Sequence, residues 1–305
     1  MRTSLGLVPV LALCLAGEAE AACLSSDITG ISTTSTTLAP YNPFTSFSPK
    51  IVTVTVAASR PCAVELAFHS TSSPPRMSGP EFLAYDVQLP AGATSLIYGG
   101  GTPTSTAHID IGAGNVGTAT VQINVPPGQV VSDGAYSDGA LAAHVFDKTG
   151  STFTLLRTAG VLVGGSVAKV CQFTTPRSPT LNFSPGISNG VPNPGYVQSL
   201  TLEGVSCTAP TLVRLSGEAM QPTQPAAAPP GLDDRIHYRA SASFNAATAV
   251  LDTRVASEVA SAGRNTGAGA TVNGVIGVDV NLLAGRPLLA GAYSATLTVS
   301  VDPSP

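Results

Sequence analysis

The sequence predicts an all-β protein built from two related sandwich domains. Short segments in which apolar and polar residues alternate are separated by turns rich in glycine and proline. Residues 278–294 align without a gap on residues 121–137, and both copies contain Gly-Ala-Tyr-Ser between two expected strands. A repeat at one fixed offset indicates a duplicated structural unit. The second unit closes on a strand expected over residues 292–301, which makes it a candidate for completion by another chain.

The individual elements follow from period-two alternation and from the turns that bound them. Tyr85 and Tyr238 occupy comparable places in the middle strands of the two units. Residues 249–262 are the one segment that could be a helix, and periodicity does not decide between helix and strand there. The predicted strands cover residues 51–57, 63–68, 82–89 and 118–125 in the first unit and 197–202, 211–215, 236–244, 275–282 and 292–301 in the second.

The N-terminus has the features of a secretory signal peptide. Arg2 precedes an apolar run over residues 5–15, and Ala-Glu-Ala at residues 19–21 has the small-x-small form of a cleavage site. The run is too short to span a bilayer, and no later segment approaches the roughly 20 apolar residues that a span requires. We therefore expect residues 1–21 to be removed and the mature protein to be exported and soluble.

Removal of this peptide takes away Cys14 and leaves four cysteines: Cys23, Cys62, Cys171 and Cys207. An even number in an exported chain indicates disulfides, and four cysteines allow three pairings. The duplication selects Cys23–Cys62 and Cys171–Cys207, one pair at the start of each unit, each contributing roughly 4 kcal/mol. Close Cys-x-x-Cys or histidine-rich spacing is lacking, so we expect no metal and no cofactor.

Composition and motifs also narrow the function classes. Charged residues make up 10% of the 305 residues and the net charge is −4, which does not suit a nucleic-acid binder, since such proteins need a basic face. Ser-x-x-Lys at residues 166–169, Ser-Asp-Gly at 137–139 and Lys-Thr-Gly at 148–150 imitate serine β-lactamase motifs, but they are crowded and in the wrong order. The four histidines are scattered. We predict that the protein is not an enzyme.

Both units share two cysteines, a tyrosine in a middle strand and a Gly-Ala-Tyr-Ser motif. In the second unit these motifs are Cys171, Cys207, Tyr238 and the closing Gly-Ala-Tyr-Ser-Ala-Thr-Leu-Thr-Val-Ser-Val of residues 291–301. In the first unit they are Cys23, Cys62, Pro-Arg-Met at residues 75–77, Tyr85 and Gly-Ala-Tyr-Ser-Asp at residues 134–138. In these motifs both units resemble the spore coat protein U domain, which is also the pilin fold of archaic chaperone–usher pili. The resemblance covers essentially the whole mature chain, twice.

The resemblance implies immunoglobulin-like sandwiches, of which the C-terminal one lacks its last strand. A periplasmic chaperone would lend a strand, and an outer-membrane usher would later exchange it for the N-terminal donor strand of the adjacent pilin subunit. An ordinary core strand in a complete sandwich is the alternative. The residues expected to share one face of the last strand and to border the strand-acceptor groove are Tyr293, Ala295, Leu297, Val299 and Val301.

The resemblance also implies a division of labour between the units. Residues 22–150 would bind a surface, residues 171–305 would accept the donor strand, and residues 151–170 would be either a linker or a strand that completes the first unit in cis. Cys23 is the second mature residue, so no donor segment precedes it. A subunit that accepts without donating belongs at the tip of the fibre.

The predicted function is therefore that of a tip adhesin on the cell surface, mediating surface attachment or biofilm formation. Apolar loops of the first unit supply the candidate surface-binding residues Phe44, Phe47, Leu96 and Tyr98. For each of them, capping of the sandwich core is an equally good interpretation. A structural coat or matrix protein of a cell or spore surface is the alternative function.

Overall fold

The computed structural model describes residues 22–304 except 73, 91, 93, 176, 225–227 and 262–268. The signal peptide expected over residues 1–21 lies outside this part of the chain. The all-β prediction is confirmed: the described residues form strands, turns and one short 3-10 turn at Ser184–Gly186. No helix among them is long and apolar enough to cross a membrane.

The first unit is a sandwich of two sheets. One has the strand order β1-β2-β9-β6. In the other, β10 pairs on one edge with β3 and β4 and on the opposite edge with β11, while β7 and β8 pair with β3 and β5 pairs with β4. The strands are β1 Ile28–Thr33, β2 Lys50–Ala58, β3 Cys62–His69, β4 Arg76–Ser78, β5 Phe82–Ala84, β6 Asp86–Gln88, β7 Ile97–Tyr98, β8 Ala107–Ile111, β9 Val116–Asn124, β10 Gly134–Thr149 and β11 Thr152–Val167.

The second unit repeats this plan with a longer first sheet and a shorter second one. The first has the order β12-β15-β21-β18-β19, the second has the order β20-β16-β23, and β13-β14 and β17-β22 form small ladders. The strands are β12 Cys171–Phe173, β13 Ile187–Ser188, β14 Val191–Pro192, β15 Val197–Cys207, β16 Thr211–Gly217, β17 Gln221–Pro222, β18 Tyr238–Phe244, β19 Ala247–Asp252, β20 Glu258–Ala260, β21 Thr271–Leu282, β22 Tyr293–Ser294 and β23 Leu297–Pro303.

Alternation along the strands explains why these segments fold as a sandwich. In β2 the side chains of Val52, Val54 and Val56 are buried, whereas the threonines between them are not. Successive side chains of a strand point to opposite faces, so one face of β2 enters the core and the other meets solvent. β21 behaves in the same way near its end, where Ile276, Val278, Val280 and Leu282 are buried.

Two predicted segments differ from the observed elements. The strand expected over residues 292–301 is broken: Tyr293–Ser294 forms β22, which pairs with β17, and β23 begins only at Leu297. At the aligned place after Gly-Ala-Tyr-Ser, the first unit has a β-bulge between Asp138 and Leu141, and β10 continues through it. The segment that could have been a helix contains β19 and β20, and residue 262 lies outside the described part of the chain.

The segment between the predicted domains forms β11. This strand runs antiparallel to β10 from Thr152 to Val167, and Val161, Val163 and Val167 are buried in the core of the first unit. The connection to the second unit is short, and Thr208 fastens it: its hydroxyl donates to the carbonyl of Ala168 at 2.6 Å and accepts the Val170 N–H at 2.9 Å. Through its buried valines, β11 is part of the core of the first unit.

We predict that Val161→Ala lowers the free energy of unfolding of a fragment spanning residues 22–170 by about 2 kcal/mol, because it removes buried methyl groups and leaves a cavity. Leu162→Ala is the matched control, since Leu162 is the next residue of β11 and is 65% exposed. Its expected loss is below about 0.5 kcal/mol. Urea unfolding measures both, and equal losses would contradict the placement of β11 in the core.

Candidate strand-acceptor groove

The two units differ most clearly beside the strand that follows Gly-Ala-Tyr-Ser. In the first unit β10 lies between β3 and β11. β11 also makes parallel bridges to the segment between β1 and β2, at Thr37–Gly164 and Tyr41–Val167. In the second unit β23 pairs with β16 through residues 297–303. Within the described part of the chain, no strand pairs with the other edge of β23. The place that β11 fills in the first unit is therefore open to another strand in the second.

The exposure of the neighbouring side chains shows the same difference. Leu297, Val299 and Val301 point towards the second core but are only half-buried. In β10, which pairs with β3 as β23 pairs with β16, the buried side chains of Leu141, Ala143 and Val145 are at most 1% exposed. Cover for this face of β10 comes in part from β11.

The facing sheet is also less well covered. Leu200 and Leu202 of β15 are half-buried, whereas Val52 and Val54 in the matching strand β2 are at most 2% exposed. Among the described residues, fifteen hydrophobic side chains pack against the second core without being fully buried, and six do so in the first unit. We refer to the half-buried surface formed by Leu200, Leu202, Leu297, Val299 and Val301 as the acceptor groove.

The groove residues named from the sequence are not all brought together. Leu297, Val299 and Val301 lie on one face of β23, and Tyr293 packs against the core from β22, its hydroxyl donating to the Leu289 carbonyl at 3.0 Å. Ala295 is exposed and lies in neither strand, because the break between β22 and β23 falls there. Its expected position on the common face is wrong.

A buried tyrosine near this edge has a partner in one unit and lacks it in the other. Tyr85 donates its hydroxyl to Asp138 Oδ2 at 2.7 Å, and burial, followed by this hydrogen bond, raises the pKa of Tyr85. Tyr238 occupies the matching place, at the strand that pairs with β21 as β6 pairs with β9. It is 1% exposed, and its hydroxyl has no hydrogen-bond partner among the described residues. Burial, followed by the charge of Glu218, raises its pKa.

The structure joins the cysteines as Cys23–Cys62 and Cys171–Cys207, with Cα–Cα distances of 5.5 and 4.1 Å. Cys171 and Cys207 are directly opposite in the ladder between β12 and β15. This bond therefore holds the first strand of the second unit to the sheet beside the acceptor groove.

The surface-binding residues expected from the sequence do not form an exposed patch. Leu96 is 0% exposed and belongs to the core of the first unit, so its expected contact with a surface is wrong. Phe47 packs against that core and against the ring of Tyr41, with the ring centroids 6.0 Å apart. Phe44 is half-buried in the same loop.

The loop that carries Phe44 and Phe47 also lies at the inner end of the first unit. Tyr41 accepts a hydrogen bond from the Ala168 N–H, and the Pro43 carbonyl accepts one from Gly128. In the nearby loop, the Asp133 N–H donates to the Thr208 carbonyl of the second unit. The far end instead holds the turn from β10 to β11, the Cys23–Cys62 bond, and the exposed side chains of Leu24 and Val116, which are 60% and 50% exposed.

Tyr98 belongs to a ring cluster that sequence reasoning missed. Its hydroxyl hydrogen-bonds to His144 Nδ1, and the His144 ring stacks on that of His69 with centroids 5.2 Å apart. Burial, and next the charge of His69, lowers the pKa of His144. Phe146 and Phe153 extend the cluster edge to face. These residues come from four strands, β3, β7, β10 and β11, so only strand register brings them together.

Comparisons with known proteins find similarity in solved structures alone. No family model and no curated protein matches the chain. A chain of the CsuC–CsuE chaperone–tip adhesion subunit complex from archaic chaperone–usher Csu pili of Acinetobacter baumannii is 15% identical, with 79% of this chain and 84% of that chain covered and a TM-score of 0.35. The CupB6 tip adhesin of Pseudomonas aeruginosa is 10% identical over 92% and 97% of the chains, with a TM-score of 0.31. The CFA/I adhesin CfaE of enterotoxigenic E. coli is 10% identical over 88% and 91%, with a TM-score of 0.35.

A matched pair of substitutions tests the difference between the two tyrosines. Tyr85→Phe should lower the stability of the first unit by about 1–3 kcal/mol, because the buried carboxylate of Asp138 loses its hydroxyl donor. Tyr238→Phe removes a buried hydroxyl without a partner among the described residues, so it should leave the stability of the second unit unchanged or raise it. Hydrogen exchange of the core amides of each unit reports both values separately. A loss at Tyr238 as large as that at Tyr85 would show that its hydroxyl is already paired.

Proposed function

We propose that this protein is the tip adhesin of an archaic chaperone–usher pilus, joined to the fibre through its second unit. One observation carries the proposal: β11 completes the sheet of the first unit at the edge that stays unpaired beside β23 in the second. The same fold thus occurs once with the strand and once without it.

The incoming strand would bind by two kinds of contact. The free N–H and C=O groups of the β23 edge would pair with its main chain, and its alternate apolar side chains would cover the half-buried residues of the acceptor groove. A periplasmic chaperone would supply this strand first. At the outer-membrane usher, the N-terminal donor strand of the adjacent pilin subunit would replace it. The protein would thereby travel through the periplasm to the cell surface.

The first unit would need no partner strand, because β11 would act as its donor strand in cis. Val161, Val163 and Val167 already fill its core. A unit that is complete within its own chain can stand at the free end of a fibre without exposing an apolar edge. This arrangement favours the first unit as the part that meets a surface, in attachment or biofilm formation.

The contact region proposed for that unit is its far end rather than the loop of Phe44 and Phe47. That loop adjoins the second unit, whereas Leu24 and Val116 lie at the opposite end and are exposed. Exposed apolar side chains near a disulfide-held turn would bind an apolar surface with little loss of conformational entropy.

The groove predicts different outcomes for two adjacent residues of β23. Val299→Asp should place a carboxylate among apolar side chains once a strand is bound, at a cost of about 3 kcal/mol or more. It should abolish copurification with the periplasmic chaperone and incorporation into fibres. Thr298→Asp is the matched control, since Thr298 is exposed on the other face, and it should assemble normally.

Copurification from the periplasm and immunogold counting of fibre tips measure these outcomes. Normal assembly of Val299→Asp would overturn the acceptor role. Neighbouring genes for a chaperone and an usher would separate a pilus subunit from a structural coat or matrix protein, which would not need them.

The far-end contact predicts the opposite phenotype. Combined Leu24→Asp and Val116→Asp should leave assembly intact, because both side chains are exposed and the expected stability change is within about 0.5 kcal/mol each. Attachment of fibre-bearing cells to an apolar surface should fall several-fold. Val255→Asp in the second unit, where the side chain is 84% exposed, is the control and should attach normally. Undiminished attachment of the double variant would remove the far end from the contact.

A further inference from the structure

The two units differ in the hydrogen-bond partner of their equivalent buried tyrosines, Tyr85 and Tyr238. The repeat that aligns the two copies of Gly-Ala-Tyr-Ser places Ala295 where the first unit has Asp138. Asp138 is 7% exposed and receives the hydroxyl of Tyr85, while its other carboxylate oxygen accepts the Ala140 N–H at 2.7 Å. An alanine cannot accept a side-chain hydrogen bond. The second unit therefore keeps the tyrosine and lacks the acceptor that its own strand would supply.

The surroundings of Tyr238 leave its hydroxyl close to the groove end of β16 and β23. A Cβ atom added to Gly217 would lie 2.6 Å from this hydroxyl, 3.1 Å from the Thr296 carbonyl and 3.3 Å from Leu297 Cδ1. The hydroxyl thus lies directly behind Gly217, at the break between β22 and β23. A cleft of about 530 Å³, lined by Gly217, Ala295 and Thr296 among other residues, opens at this place. Tyr238 does not itself line this cleft, but Gly217, which lies against its hydroxyl, does.

The register of the first unit shows which residue of an incoming strand would reach this space. Asp138 is paired with Val163 of β11, and Leu141 with Val161. Directly opposite residues of antiparallel strands have Cβ atoms about 4.5–5.5 Å apart. Ala295 lies in the break before β23. A strand that lies against β23 as β11 lies against β10 would therefore place a side chain beside Ala295 where it runs on past Leu297. The small alanine side chain leaves that residue room to approach Tyr238.

We propose that the strand filling the acceptor groove carries an asparagine or glutamine opposite Ala295. The neutral amide oxygen of this residue accepts a hydrogen bond from the Tyr238 hydroxyl. This inference rests on the proposed acceptor role of the second unit. The first unit has its acceptor on β10 and an apolar residue on β11; the second has an apolar residue on its own strand and the acceptor on the partner. Glu218 stands near enough to act on Tyr238, which makes a neutral amide more favourable than a second carboxylate.

The β11 sequence supplies the probe for this inference. A peptide of residues 157–167, Arg-Thr-Ala-Gly-Val-Leu-Val-Gly-Gly-Ser-Val, already fits the equivalent groove, and a second peptide differs from it by Val163→Asn. Each is labelled and present while the mature chain, residues 22–305, refolds with its disulfides intact. Fluorescence anisotropy then measures the dissociation constants for the unchanged chain, for Tyr238→Phe and for Ala295→Asp.

We expect the asparagine peptide to bind the unchanged chain about tenfold more tightly than the valine peptide, which corresponds to about 1.4 kcal/mol. Tyr238→Phe should abolish this preference because the donor is gone. Ala295→Asp should abolish it because the chain then supplies its own acceptor, as the first unit does.

The possible failures are distinguishable. Equal affinity of the two peptides for the unchanged chain, or a preference that survives Tyr238→Phe, would overturn the inference and leave the acceptor groove in place. Failure of both peptides to bind any of the three chains would overturn the acceptor role itself.

Discussion

The pairing of both edges of the strand after Gly-Ala-Tyr-Ser is the constraint on which the rest of the structure depends. Backbone N–H and C=O groups at a sheet edge need partners, and an edge that also borders a core leaves apolar side chains without cover. In the first unit β11 meets both needs along sixteen residues. In the second, β23 pairs on one edge within the described residues, and Leu297, Val299 and Val301 stay half-buried. The difference in exposure between the two units follows from this one difference in pairing.

The connection between the units follows from the same constraint. Because β11 ends at Val167 and β12 begins at Cys171, only three residues join the sheet of one unit to the sheet of the next. Thr208, which is fully buried, holds two of them by hydrogen bonds through its side chain and backbone. Load applied to a strand in the acceptor groove would thus reach the first unit through paired backbone rather than through a long flexible linker.

Local patterns in the sequence predict most of the strands but little of the site. Period-two alternation identifies β2, β3, β9 and β21, because one face of each enters a core. Alternation cannot predict the break at Ala295, because the aligned place in the first unit has a bulge through which β10 continues. It cannot separate the buried Leu96 from an exposed apolar residue either. The loop of Phe44 was expected to bind a surface, and only the direction of β10 and β11 reveals that it lies at the end of the first unit nearer the second.

The duplicated tyrosine shows why a repeat predicts more about structure than about interaction. Tyr85 and Tyr238 keep the same place because both rings fill a core beside the strand that follows Gly-Ala-Tyr-Ser. The polar partner is not under that packing constraint, since a hydroxyl can donate to any well-placed acceptor, whether it comes from the same strand or the next one. If another chain supplies the neighbouring strand, that chain can also supply the hydrogen-bond acceptor. A strand without an acceptor would then leave the buried hydroxyl unpaired and bind less tightly. A buried polar group at an open edge thereby favours the partner that carries the acceptor, and apolar cover alone would not make that distinction.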